Sequence, residues 1–221
     1  MSNSLDDARV QAVLRRLFAE RRAQRRRVLT HVVRSIGDRL RGHEPSLGEE
    51  VERLSGMYAS VTPAQGRFLY EQARAARARR VVEYGTSVGI STLHLAAAVR
   101  DNGGGTVIGT ELTPKKIEAA RTNLTEAGLA DLVEVREGNA VETLRSVEGP
   151  IDFVFLDGYP PLYQQILESL SPALSRGVIV IADNIFTHWN LLRGYRSFVR
   201  ANGFRSKTLM MRLGVEHTTR I

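Results

Sequence analysis

Three acidic or amide clusters in this chain sit directly behind apolar runs. Asp157 follows Phe153-Val154-Phe155-Leu156, the pair Asp183-Asn184 follows Val178-Ile179-Val180-Ile181-Ala182, and Glu111 closes Gly109-Thr110-Glu111. Two carboxylates and a carboxamide at neighbouring run ends are hard oxygen donors. They suit Mg²⁺ or Ca²⁺, with water and substrate oxygens completing the shell. The chain has no cysteine, which disfavours a structural zinc and excludes disulfides, thiolate metal sites and a cysteine nucleophile. A divalent ion here would bind two vicinal hydroxyls of a substrate, lower the pKa of one and fix its direction.

A second constellation lies upstream, in Val81-Val82-Glu83-Tyr84-Gly85-Thr86-Ser87-Val88-Gly89-Ile90-Ser91-Thr92. A glycine-rich turn after a first strand lets backbone approach a ligand closely at the mouth of a sheet. The spacing is G-x-x-x-G, whereas a pyrophosphate loop requires G-x-G-x-x-G. A carboxylate beside the loop, Glu83, would repel a pyrophosphate but suits the cationic methionine end of S-adenosylmethionine (SAM). Gly85, Thr86, Ser87, Gly89 and Ser91 are therefore candidate SAM contacts. Glu111 is placed to accept hydrogen bonds from ribose hydroxyls. Asn139 and Ala140, in Glu137-Gly138-Asn139-Ala140, fall where an adenine would be edged.

These residues need a scaffold that brings run ends together, and the pattern supplies one. Apolar runs at Arg80–Tyr84, Thr106–Thr110, Leu132–Val135, Ile151–Leu156 and Gly177–Ala182 alternate with amphipathic segments. Those segments predict helices at Ser91–Arg100, Pro114–Ala127, Ala140–Val147 and Leu162–Leu174. Near-continuous apolar strands separated by helices imply a parallel sheet covered on both faces, a doubly wound α/β domain. Thr113-Pro114 reads as a helix cap and first position, Gly128 as a helix stop. A helix is expected after Trp189 to about Ala201. Late strands near Ser206–Met211 and Val215–Arg220 would form a closing antiparallel pair.

Residues 5–41 read as helical, with a break around Gly37 to Pro45. Residues 47–58 give another short helix, and Thr62-Pro63 starts one running to about Arg77. Val10, Val13, Leu14, Leu17 and Phe18 form an apolar stripe of helical period, for which either the catalytic domain or a dimer partner is a receiver. The chain carries a net charge of +7. Residues 1–41 hold eleven arginines against four acidic residues, while the remaining 180 are balanced. We therefore divide the chain into an arginine-rich helical extension, 1–58, and a SAM-binding catalytic domain, 59–221. Such a basic segment can attract nucleic acid, but only 6% of residues are aromatic, which gives few platforms for stacking bases. No transmembrane span or signal peptide is expected, and a cytoplasmic location is the default.

The ordered motifs VTPAQGRFL, VVEYGTSVGIST, IGTELTPKKIEAAR, REGNA, IDFVFLDG and GVIVIADN resemble those of the cation-dependent O-methyltransferases. This is the group containing catechol and caffeoyl-CoA O-methyltransferases. The resemblance runs from about Val61 to Ile221. It implies a Rossmann-like, seven-stranded, mostly parallel sheet with an antiparallel last pair, and often a homodimer. It further implies that Glu83, Gly85, Ser91, Glu111, Ala140 and Asp157 are SAM-site positions, with Val61 bordering them, and that Asp157, Asp183 and Asn184 ligate the metal. The expected reaction is methyl transfer from SAM to a hydroxyl of a small, catechol-like acceptor.

One departure bears on the chemistry. The family often carries a lysine three residues after the first metal aspartate as general base, and here that position is Pro160. Tyr159 and His188 are the candidate replacements. The metal-bound hydroxyl could also ionise without a protein base. The rival readings are a methyltransferase acting on RNA or another acceptor, a nicotinamide dehydrogenase, and a SAM-binding protein of reduced activity.

Overall fold

The computed structural model describes residues 3–58, 60–186, 188, 190–211 and 214–220, without the side chains of Arg39 and Leu40. Four helices come first: α1 (Ala8–Ala23), α2 (Arg25–Leu40), α3 (Leu47–Leu54) and α4 (Pro63–Ala75). Strands and helices then alternate as β1 (Arg80–Tyr84), α5 (Ile90–Asp101), β2 (Thr106–Glu111), α6 (Pro114–Glu126), β3 (Val133–Glu137), α7 (Ala140–Thr143) and β4 (Ile151–Leu156). They continue as α8 (Tyr163–Leu170), β5 (Leu174–Ala182), α9 (Arg193–Ala201), β6 (Phe204–Leu209) and β7 (Val215–Arg220).

The strands form one sheet in the order β3-β2-β1-β4-β5-β7-β6. β7 is antiparallel to both of its neighbours and the other pairings in the sheet are parallel. The chain runs outward one way from β1 and then the other way from β4. That reversal opens the crevice in which doubly wound sheets bind ligands.

Period-two alternation along the strands sorts the core into two layers. Val81, Phe153, Phe155 and Ile181 face a cluster with α4, α5 and α6. Val82, Val154, Leu156, Val180 and Ala182 face a cluster with α8 and α9. The stripe Val10, Val13, Leu14 and Leu17 of α1 is buried in the first cluster, so the sheet's own helices receive it. Full burial of such a side chain contributes on the order of 1.5–3 kcal/mol, enough to make α1 an integral layer of the domain. No helix among the described residues is long and apolar enough to cross a membrane.

Several expected boundaries shift. The N-terminal helix breaks at Gln24, whose side chain accepts the Tyr58 amide at 2.8 Å. This long-range contact gives no sequence-periodic signal. The next break does fall between Gly37 and Pro45, at Gly42. The helix expected to 147 stops at Thr143, and the one expected to 174 stops at Leu170 before a short 3₁₀ turn containing Pro172. Thr113 has extended backbone but its hydroxyl makes no capping bond; the Glu111 carboxylate takes the Thr113 amide instead, at 2.9 Å. Gly128 ends α6 with φ +68° as expected.

Candidate active site at the strand ends

Strand register brings the candidate residues to one edge. Tyr84 is level with Thr110 and Leu156, and Leu156 with Ala182. The next residue on each strand is therefore Gly85, Glu111, Asp157 or Asp183. Loop backbone bonds hold that alignment: the Asp157 amide donates to the Tyr84 carbonyl and the Asp183 amide to the Leu156 carbonyl, both at 2.9 Å.

The first loop is pinned by left-handed backbone. Gly85 has φ +99°, Ser87 +49° and Gly89 +88°. A Cβ on Gly85 would lie 2.8 Å from the Gly158 nitrogen, so the two loops meet at a distance that only glycine permits. The turn aims the Ser87 amide at Glu111, which accepts it at 2.9 Å. Glu111 also takes the Leu112 amide at 2.9 Å, so its carboxylate is oriented before any ligand arrives.

Glu83 is wholly buried beneath this loop. One oxygen accepts from Thr86 at 3.0 Å and Thr92 at 2.5 Å. The other, Oε1, is enclosed with no hydrogen-bond partner among the described residues. Burial pushes the carboxyl up, against the hydroxyls of Ser91, Thr92 and Thr86. These hydroxyl bonds hold Glu83 beneath the glycine loop, where it supports the turn that would receive SAM. Asn139 caps α7 by accepting the Val141 amide at 3.1 Å, beside Gly138 with φ +121°.

At the next two strand ends, Asn184 donates its carboxamide to Asp157 and its backbone amide to Asp183, both at 2.8 Å. Asn184 has φ +64°, a region that asparagine enters more readily than most residues. Asp183 is 1% exposed and accepts from the buried Gln65 at 3.0 Å. Gln65 is also the third residue of α4, in a capping box with Thr62. Below lie Tyr84, Tyr163 and Tyr195 in successive edge-to-face contacts. The charges of Asp157 and Asp183 add to burial in raising the Tyr163 phenol far above its ordinary value.

These elements enclose a cavity of about 520 Å³. Gly85, Ser87, Glu111, Asn139, Ala140, Asp157 and Asn184 line it, with Tyr159, Pro160 and His188. Val61, Glu83, Thr86, Gly89, Ser91 and Asp183 do not line it and are buried. Tyr159 donates its hydroxyl to the Pro45 carbonyl at 2.5 Å, and burial raises its pKa. A phenol so placed suits holding the α2–α3 connection over the site rather than accepting a proton. The sequence reading missed Gln65, Tyr84 and Lys116, and it missed the cavity wall built by α2 and α3. The spacing Thr62-x-x-Gln65 is a capping-box signal that would have marked Gln65 as structured. Lys116 is buried in the wall, where burial lowers its amine against the charge of Glu111.

A doubly wound sheet with an acid at the second strand end and a glycine turn at the first defines the Rossmann-like class that takes a nucleoside cofactor at its switch point. Comparisons with known proteins agree. Residues 82–185 match a family described as a methyltransferase domain. A catechol O-methyltransferase of Niastella koreensis is 30% identical over 179 residues, covering 73% of this chain and 80% of that one. A catechol O-methyltransferase of Mycobacterium tuberculosis is 38% identical over 134 residues, 60% of each chain. The structure of an O-methyltransferase from Bacillus cereus in complex with SAH superposes with a TM-score of 0.69 at 26% identity, covering 80% of this chain and 92% of that one. The chain belongs to the class I SAM-dependent O-methyltransferases, the family that includes these catechol O-methyltransferases.

Proposed function

We propose that this O-methyltransferase acts on one hydroxyl of a catechol-like acceptor, with a divalent cation at Asp157, Asp183 and Asn184. The observation carrying this reading is the hydrogen-bonded set Asp157–Asn184–Asp183 at the strand ends next to the Gly85–Gly89 loop. Its two carboxylates and carboxamide oxygen are the hard donors that Mg²⁺ or Ca²⁺ selects; Asp157 and Asn184 line the cavity, and Asp183 would turn from its bond with Gln65 to join them. When bound, the ion would hold two vicinal hydroxyls and favour ionisation of one.

The chain's own residues would do the rest. The loop amides and Glu111 orient the nucleoside, and Glu83 holds the loop from behind through Thr86 and Thr92. Tyr84, Tyr159 and Pro160 shape the floor on which an aromatic acceptor lies in line with the methyl group. α2 and α3 serve as the acceptor cover, since Val28, Val32, Leu47, Val51 and Leu54 bring apolar surface to the same cavity. The outer face of α2 leaves Leu29 62%, Val33 61% and Ile36 48% exposed. This stripe of helical spacing supports a homodimer.

The test is transfer of labelled methyl from SAM to a panel of catechols and caffeoyl esters, with added Mg²⁺ and with EDTA. Turnover that EDTA abolishes and Mg²⁺ restores is expected. Turnover indifferent to EDTA would refute the cation.

A further inference from the structure

Methylating a hydroxyl releases its proton, and Pro160 offers no group to take it. On the wall of the cavity that Asp157 also lines, α2 and α3 meet at a second titratable pair. His31 Nε2 lies 3.2 Å from Glu50 Oε1, with each side chain 18% exposed, and both residues line the cavity wall. The Ser35 hydroxyl, one turn further along α2, is 3.5 Å from the same nitrogen.

This corner is tied to the reacting end at two points. Tyr159, two residues after Asp157, is bonded to Pro45 between the two helices. His188, whose backbone amide donates to the Asn184 carbonyl at 3.2 Å, stands close enough to Glu50 to act on its charge. Burial would raise the Glu50 carboxyl, yet the hydrogen bond from His31 and the charges of His31, Arg53 and His188 hold it below its ordinary value. A carboxylate kept ionised against one imidazole nitrogen fixes the tautomer and leaves the other nitrogen with its lone pair.

We infer that His31, oriented by Glu50, is the base that takes the acceptor's proton, in place of the lysine absent at Pro160. This rests on the proposed hydroxyl acceptor. The acceptor oxygen forms its bond to the methyl carbon, the S–CH₃ bond breaks with its electron pair passing to sulfur, and the O–H proton passes to His31 Nδ1. The imidazolium is then paired with Glu50. The other charged groups acting on Glu50 are Arg53 from α3 and His188 from the loop after β5; Arg21 from α1, His43 and Glu44 from the α2–α3 connection, Glu111, Lys116 and Asp157 line the same cavity.

The experiment uses the full chain saturated with S-adenosylhomocysteine and Mg²⁺, with 4-nitrocatechol as probe because its ionised form is read by visible absorbance. The bound probe's ionisation midpoint should rise by about one pH unit, a tenfold change, in both His31→Gln and Glu50→Gln. The cofactor product's affinity should change less than about twofold, below about 0.4 kcal/mol. In the same variants kcat should fall with its acid limb flattened, while KM for SAM holds. Probe ionised at the wild-type midpoint, with only the melting temperature lowered, would show that the pair merely ties α2 to α3 and would overturn the inference. Wild-type protein that binds the cofactor product but not the probe would overturn the catechol reading itself. If His31→Gln does not fold, Glu50→Gln, which keeps a hydrogen-bonding side chain at the site, decides alone.

Discussion

Gln65 joins a helix cap to the candidate metal site, and the two roles can be separated. Its Oε1 accepts the Thr62 amide at 3.0 Å, while its Nε2 donates to Asp183 Oδ2 at 3.0 Å. Asp183 is 1% exposed, so removing the donor takes away a hydrogen bond to a carboxylate that water does not readily replace. A hydrogen bond to a charged group contributes about 1.5–3 kcal/mol, and Gln and Leu have similar helix propensity. Gln65→Leu should therefore cost about 2–3 kcal/mol, a fall of about 6–10 °C in Tm for a chain of this size. Gln65→Glu retains the capping acceptor but puts a second carboxyl against Asp183. Like charges at this distance do not both ionise, so the new carboxyl's folded pKa is raised. Its stability deficit against wild type should be largest near pH 8 and shrink as pH falls toward 5. The assay is thermal or urea unfolding of the three proteins across that range. Gln65→Glu matching wild type at pH 8 would refute the argument and reduce Gln65 to a cap.

Gly85→Ala should cost about 2–4 kcal/mol, combining a left-handed residue with overpacking against Gly158, and should weaken S-adenosylhomocysteine binding more than tenfold by calorimetry. Gly177→Ala, also at positive φ but facing open space, is the control that should keep binding; equal affinities in both would refute the close-approach argument. His94 is fully buried, donates Nδ1–H to the Ile90 carbonyl at 2.7 Å, and is pushed down to about 4 chiefly by burial. Its unfolded form takes up a proton near pH 6.5. The native state's stability should therefore be complete above that pH and be lost progressively down to about pH 4, by about 3 kcal/mol. Urea unfolding of wild type against His94→Leu checks this, since the variant should lack that part of the acid loss.

The alternation of apolar runs and amphipathic helices was legible because it is local: residues 80–182 repeat a strand–turn–helix pattern whose periods differ, and run ends carry the turn residues. Glu111, Asp157, Asp183 and Asn184 could be read as one constellation because a parallel sheet puts successive strand ends on the same edge. The Gly85–Gly89 spacing likewise reports a backbone demand made within five residues. Nothing local told Val10, Val13, Leu14 and Leu17 which surface would receive them, broke the N-terminal helix at Gln24, or sent Asp183 inward to Gln65 while Asp157 faced the cavity. Those outcomes depend on pairs more than thirty positions apart in sequence, such as Gln24 with Tyr58 and Gln65 with Asp183. The same holds for the cavity wall where His31 and Glu50 meet, because α2 and α3 fold back to line the cavity at the strand ends. Residue type and spacing determined the sheet, its cofactor turn and the oxygen donors at its edge; packing decided which of those side chains reach the cavity, because burial and long-range hydrogen bonding exist only once the helices have docked.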